Sequence, residues 1–74
     1  MMGIVTSIDG NKLILSISEQ VDLKGLIGHK ARYIDNNDKE WLGNVVSLDD
    51  EFLIVEMESM PSSIGQGQLV EIEE

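Results

Sequence analysis

Gly43-Asn-Val-Val-Ser-Leu-Asp-Asp-Glu-Phe-Leu-Ile-Val-Glu-Met57 decides the fold. Two runs of aliphatic residues flank Asp49-Asp50-Glu51, a cluster of turn formers. β-Branched side chains restrict χ1 and suit the pleated surface of a sheet. Leu53, Val55 and Met57 recur at period two and so share one face of a strand. The stretch predicts an antiparallel hairpin with its tip at Asp49–Phe52. Forty residues upstream lies Gly3-Ile-Val-Thr-Ser-Ile-Asp-Gly-Asn-Lys-Leu-Ile-Leu-Ser-Ile17. Laid over each other without a gap, the stretches agree at Gly3/Gly43, Val5/Val45, Ser7/Ser47, Asp9/Asp49, Leu13/Leu53 and Ile14/Ile54. That is six of fifteen positions, where average residue usage gives roughly one. Asp9-Gly10 is a hairpin turn signal, because both residue types tolerate positive φ. Leu13, Leu15 and Ile17 are therefore expected to point inward beside Leu53, Val55 and Met57.

Outward from the two hairpins the correspondence continues. Leu26-Ile27-Gly28 leads into Lys30-Ala31-Arg32-Tyr33-Ile34-Asp35, and Ser63-Ile64-Gly65-Gln66-Gly67 leads into Gln68-Leu69-Val70-Glu71-Ile72. Each reads as an apolar anchor, a glycine turn and a strand. Two half-units, about 3–36 and 43–74, give six short strands in one domain spanning 1–74. The expected fold class is all-β, a six-stranded barrel with a pseudo-twofold internal duplication, since closure removes exposed sheet edges. Asp35-Asn36-Asn37-Asp38 is the turn between the halves. Glu58-Ser59-Met60-Pro61-Ser62-Ser63 is the loop of the second half, and Pro61 suits a loop better than a central strand.

Composition bounds the rest. A chain of 74 residues makes one small core, and with no cysteine that core has no disulfide staple and no zinc thiolate. The 42% hydrophobic content is mostly Ile, Leu and Val, with Tyr33, Trp41 and Phe52 the only aromatics. No apolar run approaches the ~20 residues that span a bilayer. The start, Met1-Met2-Gly3-Ile4-Val5-Thr6, has no basic leader region, so a cytoplasmic location is expected. Lys12, Lys24, Lys30 and Arg32 balance the acids of residues 1–37. Residues 38–74 hold ten acids against Lys39, so the whole net charge of −9 lies in the second half. An acidic surface repels phosphate backbones and favours a basic partner.

No constellation carries catalysis. His29, the only histidine, reads as an exposed turn residue, since a general base needs a partner and a pocket. Ser7, Ser16, Ser18 and Ser47 lack a nucleophile elbow. Asp35-Asn36-Asn37-Asp38-Lys39-Glu40 echoes a calcium loop but has Lys39 at a ligand position and Glu40 where glycine is required. Asp49-Asp50-Glu51 reads as a solvated hairpin tip. His29, Lys30, Arg32 and Tyr33 alone do not make a nucleic-acid surface within an acidic chain. Trp41 is expected in the core. Phe52, aligned with Lys12, stands at a position expected to be exposed, where a large aromatic marks an interface or caps the barrel mouth.

The half-unit ending in Ile64-Gly65-Gln66-Gly67-Gln68-Leu69-Val70-Glu71-Ile72 resembles the cradle-loop barrels, which include the second domain of elongation factor Tu. Leu42-Gly43-Asn44-Val45-Val46-Ser47-Leu48 is similar to the N-terminal barrel of rotary ATPase subunits. Over the whole length the layout resembles the small barrel subunit of archaeal H/ACA ribonucleoproteins. It departs from that family at Leu48-Asp49-Asp50-Glu51-Phe52, which replaces a Gly-Pro-Val turn, and in its acidic charge. Residues 26–57 resemble a PRC-barrel, and 26–72 the soluble domain of NfeD membrane proteins. A pattern shared by these families reports a fold, and small barrels host many functions. The expectation is a non-catalytic protein-interaction module with no cofactor and no metal. It docks on a larger assembly through Asp49, Asp50, Glu51, Phe52 and Trp41, with a protein partner that offers a basic or apolar patch. The alternatives are an accessory protein-binding subunit of a ribonucleoprotein, as the H/ACA resemblance implies, and an acidic mimic of nucleic acid.

Overall fold

A computed structural model describes residues 1–74. Six strands follow in order: β1 (Met2–Asp9), β2 (Lys12–Ile17), β3 (Lys30–Ile34), β4 (Glu40–Asp49), β5 (Phe52–Met57) and β6 (Leu69–Ile72). A short 3₁₀ turn, Leu23–Leu26, precedes β3, capped by the Asp22 carboxylate on the Lys24 N–H. All neighbours are antiparallel, and the ring closes as β1-β2-β5-β4-β3-β6. The fold is thus the all-β six-stranded barrel that the alternating pattern predicts. No helix is long and apolar enough to cross a membrane.

Period-two alternation sets what lies inside. Leu13, Leu15, Leu53 and Val55 are fully buried and Met57 nearly so, and Val5, Val45, Ala31, Tyr33, Val70 and Ile72 meet them from the other strands. Ile17 shares their phase but ends β2 at the rim, where it is half-buried. Trp41 was expected in the core and is instead half-buried against its edge. The interior is filled by side chains, and every buried polar side-chain atom has a partner. Tyr33 is one case: its hydroxyl donates to Gln68 Oε1 at 3.2 Å.

Both hairpins turn on two residues, Gly10-Asn11 and Asp50-Glu51. Gly10 (φ 61°) and Asp50 (φ 55°) take the left-handed conformation at the first loop position. Asp9, read as part of the turn, instead ends β1 opposite Lys12. Each hairpin then carries one bulge, between Val5 and Ser7 and between Val45 and Ser47. A bulge bends and twists its strand, which helps a small sheet to close on itself. Below the bulges, Gly3 faces Ile17 and Gly43 faces Met57. A Cβ on Gly43 would stand 2.6 Å from the Glu56 carbonyl oxygen. At Gly3 it would stand 2.9 Å from Ile17 Cδ1. Glycine here permits a close approach of strands.

The segments leading into β3 and β6 also dock alike. Gly28 N–H donates to Val45 O at 2.8 Å and Val45 N–H to His29 O at 2.9 Å. Gly67 N–H donates to Val5 O at 2.8 Å and Val5 N–H to Gln68 O at 2.9 Å. Gly28 and Gly67 both have positive φ, 94° and 86°, which only glycine adopts cheaply.

Candidate functional site

A filled interior leaves the outer surface as the place to bind anything, and the shortest ladder of the wall is the β3–β6 seam. β6 serves two neighbours. Against β1 it pairs along its length, through Met2↔Glu71, Gly3↔Val70 and Ile4↔Leu69. Against β3 the pairing stops after Ala31↔Ile72 and Arg32↔Glu71, although β3 runs on to Ile34 and β6 reaches back to Leu69. Backbone groups alternate sides along a strand. Asp35 N–H donates to Lys39 O, so Tyr33 and Asp35 address β4 while Arg32 and Ile34 address β6. Ile72 N–H donates to Met1 O and Val5 N–H to Gln68 O, so Gln68, Val70 and Ile72 address β1 while Leu69 and Glu71 address β3. Ile34 and Leu69 therefore aim their N–H and C=O groups into the seam, and the ladder supplies no pair between them.

A groove of about 330 Å³ opens there, lined by Met2, Arg32, Ile34, Leu69 and Glu71. Its apolar members are the most exposed of the strand aliphatics: Leu69 at 53%, Ile34 at 48% and Met2 at 44%. Leu42, opposite Arg32, and Ile4, opposite Leu69, extend the patch at 41% and 42%. On the far side of the barrel the outward Ile14, Ile54 and Phe52 are half-buried.

Arg32 is among the residues that line the groove. Its Nη1 donates to Glu40 Oε2 at 3.2 Å and its Nη2 to Glu71 Oε1. The bond to Glu71, then that to Glu40, holds the guanidinium above its ordinary pKa. These groups are exposed, so solvent screening leaves them little weight in stability. What matters is the balance: two carboxylates share one cation, and the cluster carries net negative charge.

The five residues expected to form an interface do not converge. Asp49, Asp50 and Glu51 are exposed at the β4–β5 tip, and Phe52 is half-buried opposite Ser16. Trp41 lies eight residues back along β4, ~26 Å away at the rise of a strand. It belongs to a different cluster. Asp35 Oδ2 accepts from Trp41 Nε1 at 2.9 Å. Its Oδ1 accepts from the Asn37 and Lys39 N–H groups at 2.8 and 3.0 Å. The Lys39 ammonium sits 4.2 Å from the Trp41 ring centroid. Asp38 closes this loop in the left-handed conformation, φ 62°, as a three-residue hairpin loop requires. His29 is not free either: its Nδ1 lies 2.6 Å from the Glu73 carbonyl oxygen. No three His, Asp or Glu side chains meet at a point that would hold a metal ion.

The loop makes a pH prediction. The Trp41 hydrogen bond, then the Lys39 N–H, holds the Asp35 carboxyl below its ordinary pKa. A depressed folded pKa gives stability that is present above the unfolded value, ~3.9, and lost as pH falls through the folded one. The melting difference between the parent and Asp35→Ala should be constant from pH 5 to 7 and shrink below about pH 4. Fluorescence of Trp41, the single tryptophan, should change over the same acid range. A melting difference that persists undiminished to pH 3 would refute the role given to the carboxylate.

Met2, Ile34 and Leu69 were not singled out in the sequence. The available signal was an apolar residue at the outward phase of a strand: Ile34 beside inward Tyr33, Leu69 beside inward Val70. No family model, no curated protein and no solved structure matches this chain.

Proposed function

We propose that this barrel is a non-catalytic protein-interaction module, docking on a larger assembly through the face formed by β4, β3, β6 and β1. One observation carries the reading: Ile34, Leu69 and Met2, 44–53% exposed, line a groove, with the exposed Leu42 and Ile4 on the neighbouring strands. Contiguous exposed apolar surface with a polar rim marks interaction sites. The partner is a protein segment with apolar and basic residues, because the groove cluster has excess carboxylate and the chain carries −9. The reading places the chain in the cytoplasm. It is compatible with an accessory role in a ribonucleoprotein, where the barrel contacts protein and leaves RNA to others. The likeness to cradle-loop barrels and the duplication of the two halves belong to the same reading, and the equal bulge positions support the duplication.

A second reading keeps docking at the Asp49–Phe52 tip, favoured by its three exposed acids beside an aromatic. One experiment separates them. A photoreactive residue at position 69 is introduced, the trapped partner is identified, and its affinity is measured with purified proteins. Leu69→Lys is expected to weaken it more than tenfold, about 1.4 kcal/mol, with the melting temperature nearly unchanged. Phe52→Ala is expected to leave it intact. Insensitivity to Leu69→Lys together with loss on Phe52→Ala moves the interface to the tip.

A further inference from the structure

We infer that the occupant of the β3–β6 groove is an extended, lysine- or arginine-bearing segment of another protein, which pairs its backbone with Ile34 and Leu69 as a short added strand. This rests on the docking face just proposed and names what that face receives.

Backbone is the first ground. The β3–β6 ladder is the shortest in the ring and stops at Arg32↔Glu71, so Ile34 and Leu69, whose N–H and C=O groups face the seam next, form no paired rung. Open strand backbone is a template for another strand, and edge addition is a recurrent mode of peptide recognition. Size is the second. A groove of about 330 Å³ is at the small end of binding sites. It takes a few extended residues and is too small for a helix of ~10 Å diameter. Side-chain chemistry is the third. An added strand alternates its side chains, so those on the outer side lie over Ile34, Leu69 and Met2. A cation among them reaches Glu40 or Glu71, which share only Arg32. A second copy of this chain is disfavoured as the occupant, since each would bring a net −9.

The probe is acetyl-Lys-Val-Lys-Val-Lys-amide, titrated to millimolar concentration at low salt into the full 74-residue chain, with backbone amides followed by NMR. Shifts are expected at Ile34 and Leu69, and a peptide N-methylated at both valines should bind at least tenfold more weakly. Besides shortening the side chain, as Leu69→Ala also does, Leu69→Pro removes an N–H that faces the seam, at the first residue of β6, where a strand tolerates proline. It should fold and lose at least tenfold in affinity, against a smaller loss for Leu69→Ala. Equal binding of the N-methylated peptide at the same residues overturns strand addition and leaves the docking face standing. Shifts elsewhere, no shift at all, or dimerisation through this face overturn the inference. The docking reading itself is decided by Leu69→Lys on the trapped partner. Should Leu69→Pro fail to fold, the N-methylated peptide still distinguishes strand addition from side-chain docking.

Discussion

Leu53→Ala is expected to bring the protein close to unfolding at 37 °C. Leu53 is completely buried, between Leu15 on β2 and Leu48 on β4. Its truncation loses the transfer free energy of the side chain and leaves a cavity, together about 2–5 kcal/mol. A domain of this length has roughly 4–11 kcal/mol in all. A loss of 1 kcal/mol lowers the melting temperature by about 4–8 °C in so small a domain, so a fall of at least ~8 °C follows. Ile54 is the control. It is the next residue, outward-facing and half-buried, so Ile54→Ala should cost clearly less. Thermal melts of the two variants side by side test the phase of β5. A Leu53→Ala protein melting within a degree or two of the parent would show that phase to be wrong.

Gly43→Ala is expected to be more damaging than Gly3→Ala. The new methyl would meet the Glu56 carbonyl oxygen at 2.6 Å and Met57 Sδ at 2.8 Å. Glu56 is in the β4–β5 ladder opposite Asn44 and Met57 faces Gly43 itself, so the contacted carbonyl cannot swing away without parting the strands. Forced overpacking costs about 1–3 kcal/mol. At Gly3 the methyl meets Ile17 Cδ1 at 2.9 Å and Leu15 Cδ1 at 3.0 Å. Those are ends of flexible side chains, and Ile17 is only half-buried, so Gly3→Ala should be the milder change. Chemical denaturation of both variants gives the ranking, and the reverse order would mean that the strands separate more easily at β4 than at β1.

What was legible in the sequence was local. The hairpins at Gly10 and Asp50 could be read because turn residues and a two-residue period are written in neighbouring positions, and the inward phase of Leu13, Leu15, Leu53 and Val55 followed from them. Trp41 was misplaced because a large aromatic reads as core, whereas its indole N–H is drawn to the Asp35 carboxylate at the rim. The outcome depended on a loop conformation set by Asp38 as much as on hydrophobicity. Trp41 and Phe52 were grouped as one surface although a long strand separates them, since composition carries no distance. The seam was hidden for a related reason. Which edges β6 shares, and where its pairing with β3 stops, depend on residues about forty or more positions apart. Outward-facing Ile34 and Leu69 stood in plain view, but an exposed aliphatic residue gains meaning only beside others.

The ring order also dictates a sequence of events in time. Three hairpins, β1–β2, β3–β4 and β4–β5, join strands that are adjacent in the chain, and such units form in about 1–10 μs. The rung Met2↔Glu71 joins nearly opposite ends and must meet the entropy of closing that long loop first. Docking of β6 is therefore expected to come last. Until β6 is in place, β1 and β3 both show raw edges, the state in which a β-protein is most prone to aggregate. On a ribosome adding about 5–20 residues per second, the interval between completing β5 and completing β6 lasts on the order of a second. A nascent barrel of this kind is at its most vulnerable during that second.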